Sequence, residues 1–179
     1  FGIPKYDNNN GQVRIRKISD ISTAYQTDGM NSDELGTRID VGKQSSTMYR
    51  IPVLASGNAT STTNLKFLVY RFDTSNNTFT TQSTVTQPNI GKPSDIAINN
   101  NGANRMAISI SQQYNVQIFK PNFLDFFHQP SFAITSPTNT DSEPTYIDFN
   151  GDGTLLIVGY VENGSGTSHI NVYEIDYDN

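Results

Sequence analysis

Asp148, Asn150 and Asp152 stand at i, i+2 and i+4, directly ahead of Gly153. Oxygen-bearing side chains at alternate positions, followed by a glycine that allows a sharp bend, form the opening of a calcium loop. The residues that follow, Thr154, Leu155 and Leu156, bring no late carboxylate, so any Ca2+ would be held weakly. The same residues also spell a hairpin turn, because Asn, Asp and Gly tolerate the positive φ that tight turns need. The related segment Asn99-Asn100-Asn101-Gly102 keeps the turn residues and has no carboxylate, which favours the hairpin. Apart from Ca2+ at this turn, no cofactor is expected.

Other chemistry is thinly supplied. His128 and His169 are the only imidazoles and there is no cysteine, so neither a thiolate nucleophile nor a Cys/His zinc site is expected. No G-x-S-x-G elbow accompanies the serines, and the chain is expected not to be an enzyme. Phe123, Phe126 and Phe127 fall in the most hydrophobic insertion, Phe123 to Phe127. Exposed, they would form a protein-binding patch; folded back, they would cover a sheet edge. Tyr6, Tyr114 and Tyr160 could stack on sugar rings beside Asn and Asp donors, the ingredients of a glycan site. Asn58, Asn76 and Asn163 head N-x-S/T sequons in expected loops, compatible with glycosylation and with an extracellular or virion-surface location.

Composition narrows the partners. The net charge is −5 and only 16% of residues are charged, against the clustered Lys and Arg of nucleic-acid binding. Arg14, Arg16 and Lys17 are the one short basic cluster, expected on a solvated strand face. No apolar run approaches the roughly 18 residues needed to cross a bilayer, so no membrane insertion is expected within this chain. Phe1-Gly2-Ile3-Pro4-Lys5 does not read as a signal peptide. A protein partner or a surface glycan remains.

The elements that position these residues come from an internal repeat. Ile15-Arg16-Lys17-Ile18, Val69-Tyr70-Arg71-Phe72, Ile118-Phe119-Lys120 and Val172-Tyr173-Glu174-Ile175 share a pattern, their aliphatic anchors lying 54, 49 and 54 positions apart. Pro93 to Gly102 matches Pro144 to Gly153 at an offset of 51. In both, alternating apolar residues run into an Asn/Asp/Gly turn and then a second apolar strand, Met106 to Ile108 or Leu155 to Val158. A polar loop, the anchor strand and a Ser/Thr-rich fourth strand follow, from Thr78 to Val85 or from Ser131 to Thr135. An offset of 157 places Phe1-Gly2-Ile3 on Val158-Gly159-Tyr160 and Val13 to Ile18 on Ile170 to Ile175. With a to d denoting successive strands of a unit, the chain reads bcd, abcd, abcd and abc, fourteen strands in all.

Meandering units of this size, with the phrase Ile147-Asp148-Phe149-Asn150-Gly151-Asp152-Gly153-Thr154-Leu155-Leu156-Ile157-Val158-Gly159, resemble the FG-GAP and WD40-like blades of β-propellers. The resemblance implies an all-β chain of four-stranded antiparallel blades, about four in number, two complete and two partial. The blade parts span approximately 1–29, 30–87, 88–137 and 138–179, within one domain or a fragment of a larger propeller completed by further blades from the same or another chain. In calcium-binding FG-GAP repeats an acidic residue follows the glycine, which this copy lacks. The absence of tryptophan removes the Trp-Asp signature of true WD40 repeats and the Trp-ended Asp-box of sialidases. Propellers serve adhesion, scaffolding, sugar binding and catalysis, so the fold does not choose among them. The expected function is a non-enzymatic structural or adhesion module displayed on a cell, filament or virion surface. A lectin-like propeller and a propeller enzyme, which needs convergent carboxylates or histidines on the central face, are the alternatives.

Overall fold

A computed structural model of the chain describes residues 2–3, 11–16, 23–28, 35–55, 65–87, 91, 93–100, 105–120, 130–135 and 142–176. They form four antiparallel sheets that follow one another along the chain. The first joins β1 (Gly2–Ile3), β2 (Gln12–Arg16) and β3 (Thr23–Asp28). The second runs β4 (Leu35–Ile39), β6 (Met48–Ala55), β7 (Leu65–Asp73) and β8 (Thr78–Gln87), with the short β5 (Gly42–Lys43) also paired to β6. The third orders β9 (Pro93–Ile98), β10 (Met106–Ile110), β11 (Asn115–Phe119) and β12 (Pro130–Thr135). The fourth holds β13 (Ser142–Phe149), β14 (Leu155–Glu162) and β15 (Ser168–Glu174). Within each sheet the strands pair in chain order, β4 and β5 both lying against β6, the arrangement that hairpin connections dictate.

Strand alternation then decides how the sheets stack, because successive side chains leave opposite faces. Three apolar cores result, one at each boundary between consecutive sheets. Val13 meets Leu35, Ile51, Val53 and Tyr70 between the first and second. Phe67, Val69 and Val85 meet Ile96, Met106, Ile108 and Phe119 between the second and third. Here the Phe67 and Phe119 rings lie edge to face with centroids 5.0 Å apart, a favoured aromatic geometry. Ala107, Val116 and Ile118 meet Ile147, Leu156, Val158 and Tyr160 between the third and fourth. Every sheet is therefore the lid of the one before it.

Close approach is possible only where side chains are small. A Cβ added at Gly42 would stand 2.8 Å from the Asn99 carbonyl oxygen and 2.9 Å from Ile98 Cγ2 on the next sheet. At the same seam the Lys43 N–H donates to Asn100 Oδ1 at 2.9 Å.

Two local readings are corrected. Fourteen strands were expected and the described residues hold fifteen, because the first strand of the second sheet is interrupted. The Asp40 carboxylate turns back to accept the Val41 N–H at 2.7 Å, and β5 resumes the same partner, β6. The polar loop after β10 is not irregular: Ser111–Gln113 forms one turn of 3-10 helix, closed by Tyr114 at φ 54° donating its N–H to Ser111 O.

Candidate functional site

The first strands of the last three sheets, β4, β9 and β13, are outer strands of their sheets. The backbone N–H groups on such a strand's free side have no ladder partner and must find one elsewhere. For β9 and β13, side chains from the preceding sheet supply it. Asp40, just beyond β4, accepts the Ile98 N–H of β9 through Oδ2 at 2.7 Å. Asp95 on β9 accepts the Ile147 N–H of β13 through Oδ2 at 3.0 Å. Arg38 on β4 reaches Asp95, Nε to Oδ1 3.6 Å, from a side chain that is 54% exposed. At the next step Tyr146 donates its hydroxyl to Asp148 Oδ2 at 3.4 Å.

These five residues fall on two register lines. Arg38 lies opposite Leu54, Asp95 opposite Ser109 and Tyr146 opposite Gly159. Two residues further on come Asp40, Ala97 and Asp148, of which Asp40 donates its own N–H to Pro52 O. Strand alternation turns both lines toward the next sheet, so a carboxylate on either one meets that sheet's first strand. Ser94 adds a third link of this kind, its hydroxyl donating to Pro144 O at 2.7 Å.

The electrostatics follow from the crowding. Burial pushes the Asp40 carboxyl above the usual carboxylate range; the Ile98 and Val41 N–H groups pull it partly back, and the charges of Asp148 and Asp95 add to the rise. Asp95 is likewise raised, by burial first, with its N–H donors and Arg38 opposing. The Tyr146 hydroxyl is raised chiefly by the Asp148 charge. A carboxylate that accepts backbone N–H bonds while partly desolvated is engaged in holding structure.

The residues singled out from sequence are dispersed. Asn150 and Asp152 meet within their own turn: Asn150 Oδ1 accepts the Leu155 N–H at 2.8 Å, and Asp152 Oδ1 accepts both the N–H (3.0 Å) and the hydroxyl (2.7 Å) of Thr154. Gly153 takes φ 76° to close it. The Thr154 hydroxyl and N–H hold the Asp152 carboxyl below the usual range. Asp148 instead bonds Tyr146 on the sheet face. No group of three or more His, Cys, Asp or Glu side chains disposed to hold a metal occurs among the described residues.

Asn76 lies exposed in the turn between β7 and β8, its Oδ1 accepting from the Thr78 N–H and hydroxyl. Asn163 is exposed and donates to Glu143 Oε1 at 2.9 Å. Tyr160 is corrected as a sugar-stacking candidate. It is 1% exposed, stacks on His169 at 5.0 Å and shares a hydrogen bond with the Tyr173 hydroxyl at 3.0 Å. Burial and that bond push its own hydroxyl well above the ordinary tyrosine value. Tyr6, Asn58, Phe123, Phe126, Phe127 and His128 lie outside the described residues.

Asp40 and Asp95 were not singled out from sequence. A carboxylate set among apolar residues at the start of a unit was the available signal: alternation puts Asp95 on the same face as Ala97, which packs inward.

No protein-family model matches the chain, and no curated protein does. Solved structures do. The KlAtg21 component in a complex with the coiled coil of AgAtg16 is similar over 94% of this chain and 48% of its own, at 15% identity and TM-score 0.63. A protein from Bacteroides fragilis NCTC 9343, provisionally assigned as a 6-phosphogluconolactonase, is similar over 98% of this chain and 47% of its own, at 11% identity and TM-score 0.65. A functionally unknown protein from Desulfotomaculum acetoxidans DSM 771 is similar over 87% and 46%, at 17% identity and TM-score 0.53. The chain thus spans about half the length of the structures it matches, and it shares with them a propeller-like, all-β fold.

Proposed function

We propose that the chain is part of a β-propeller, its four sheets serving as two complete and two partial blades, and that it works as a non-enzymatic structural or interaction module. One observation carries this reading: the convergent carboxylates Asp40 and Asp95 accept backbone N–H groups of the following sheet. A carboxylate committed to a backbone N–H of the next sheet, and in Asp95 also to Arg38, serves cohesion, leaving loops and faces to meet partners. KlAtg21, a structural neighbour, is seen bound to a coiled coil, which supports a protein as the partner. Display on a cell, filament or virion surface completes the proposal; it rests on the Asn58, Asn76 and Asn163 sequons, and the intact mass of natively produced protein tests it. The hairpin at Asn150 to Thr154 holds itself through its own bonds and needs no Ca2+ for the role.

The name of the second structural neighbour raises a rival reading, lactone hydrolysis, for which Asp40 and Asp95 would be the acids to test. Purified protein should hydrolyse 6-phosphogluconolactone no faster than buffer. Asp95→Asn should leave that null rate unchanged, and Asp95→Ala, which removes the acceptor of the Ile147 N–H, should lower the melting temperature. Hydrolysis above background that Asp95→Asn abolishes would establish the enzyme instead.

A further inference from the structure

Two Asn-Gly pairs lie wholly within the described residues, Asn150-Gly151 and Asn163-Gly164, and each stands in the turn of a hairpin. Such a pair carries a reaction of its own. The glycine backbone nitrogen can attack the asparagine Cγ, because glycine has no side chain to block the approach and adjusts its dihedrals freely. A Cβ built at Gly151 or at Gly164 would meet nothing within 4 Å, so neither glycine is screened by the rest of the molecule. What separates the two pairs is how firmly the asparagine is held.

Asn150 is held by its side chain and by its main chain. Its Oδ1 accepts the Leu155 N–H at 2.8 Å and its Nδ2 donates to Thr154 Oγ1 at 3.1 Å. Its own N–H donates to Leu155 O at 3.1 Å, and its carbonyl accepts the Gly153 N–H at 2.9 Å. Both side-chain bonds must break before Cγ can swing onto the Gly151 nitrogen. Asn163 is exposed, and its amide makes one bond, from Nδ2 to Glu143 Oε1 at 2.9 Å. The turn's backbone bonds, from the Glu162 N–H to Thr167 O at 2.9 Å and from the Gly166 N–H to Glu162 O at 3.3 Å, pass around Asn163 and Gly164 without engaging either.

We propose that Asn163 is a site of spontaneous deamidation and that the same fold protects Asn150. Water or hydroxide takes the Gly164 amide proton, and the Gly164 nitrogen bonds to Cγ of Asn163. The Cγ–Nδ2 bond breaks, and Nδ2 leaves as ammonia with a proton returned by water. A second water opens the five-membered imide at either carbonyl, leaving aspartate or isoaspartate at position 163. Two local consequences follow. The bond to Glu143 gives way to two facing carboxylates. The Asn163-Gly164-Ser165 sequon is erased as well, so deamidation and glycosylation compete for one amide nitrogen.

Peptide mass mapping of the folded chain held at mildly alkaline pH tests this, with isoaspartate counted separately by enzymatic methylation. Asn163 should convert at least tenfold faster than Asn150, since fewer hydrogen bonds restrain it. In urea, where no fold restrains either asparagine, the two rates should come together. Glu143→Ala removes the one bond on the Asn163 amide and should speed conversion at position 163. Thr154→Ala removes the acceptor of Asn150 Nδ2 and should speed conversion at position 150. Isoaspartate also distinguishes this reaction from enzymatic removal of a glycan, which leaves aspartate alone. An intact Asn163, equal rates at the two asparagines in the folded chain, or a tenfold ratio that persists in urea would each overturn the proposal. None of these readouts depends on the scaffold role, so this inference and that reading fail separately.

Discussion

Asp95 ties two sheets with one carboxylate, and its loss should be felt at one amide. Asp95→Ala leaves the Ile147 N–H without its acceptor, a penalty of about 1–3 kcal/mol for a buried donor, read as a lower urea midpoint. Acidity acts on the same group. Asp40 and Asp95 are raised in the folded state, so the native protein binds their protons more tightly than the unfolded chain does. Their contribution to stability is full below the ordinary carboxylate value and is lost as pH rises through their raised values. Asp73, bonded by the Ser75 hydroxyl, and Asp152, bonded by Thr154, are lowered and behave oppositely. They stabilise above the ordinary value and stop doing so as pH falls through their lowered ones. Stability should therefore climb on acidification from neutral pH toward the ordinary carboxylate range and decline below it. Asp40→Asn should flatten the climb; urea midpoints that fall steadily from neutral pH, equally in both proteins, would contradict this assignment.

Among the elements, hairpins and strand order were legible in the sequence because they are local. The Asn150-Gly151-Asp152-Gly153 turn and the alternation of Ile96 and Ile98, or Ile147 and Phe149, each lie within a dozen residues. The clasps were not legible, since Asp40 and Ile98 stand 58 positions apart and no local pattern joins them. Tyr160 was misread for want of parity: it shares a strand face with Leu156 and Val158, whose burial it follows. The interruption between β4 and β5 depends on a side chain bending back to its own backbone, which alternation does not encode. Two element-scale tests follow. Gly42→Ala should force the second and third sheets apart at Asn99 and cost about 1–3 kcal/mol, as overpacking does, visible in thermal unfolding. Adding EDTA or millimolar Ca2+ should leave the melting temperature unchanged, because the turn's oxygens already hold Thr154 and Leu155; a calcium-dependent rise would make the turn a metal site.

Across the whole molecule, three cores and the clasps join each sheet to the next, and the same outward face recurs from sheet to sheet until the fourth exposes it. The acids that a catalytic reading would claim are, in this account, parts of that joinery. Amide hydrogen exchange resolved at Ile147 tests it most directly. The Ile147 N–H should be strongly protected in the wild-type chain and lose that protection in Asp95→Ala, while amides in the β6 to β7 ladder keep theirs. An Ile147 amide that exchanges as slowly without the Asp95 carboxylate as with it would contradict the account.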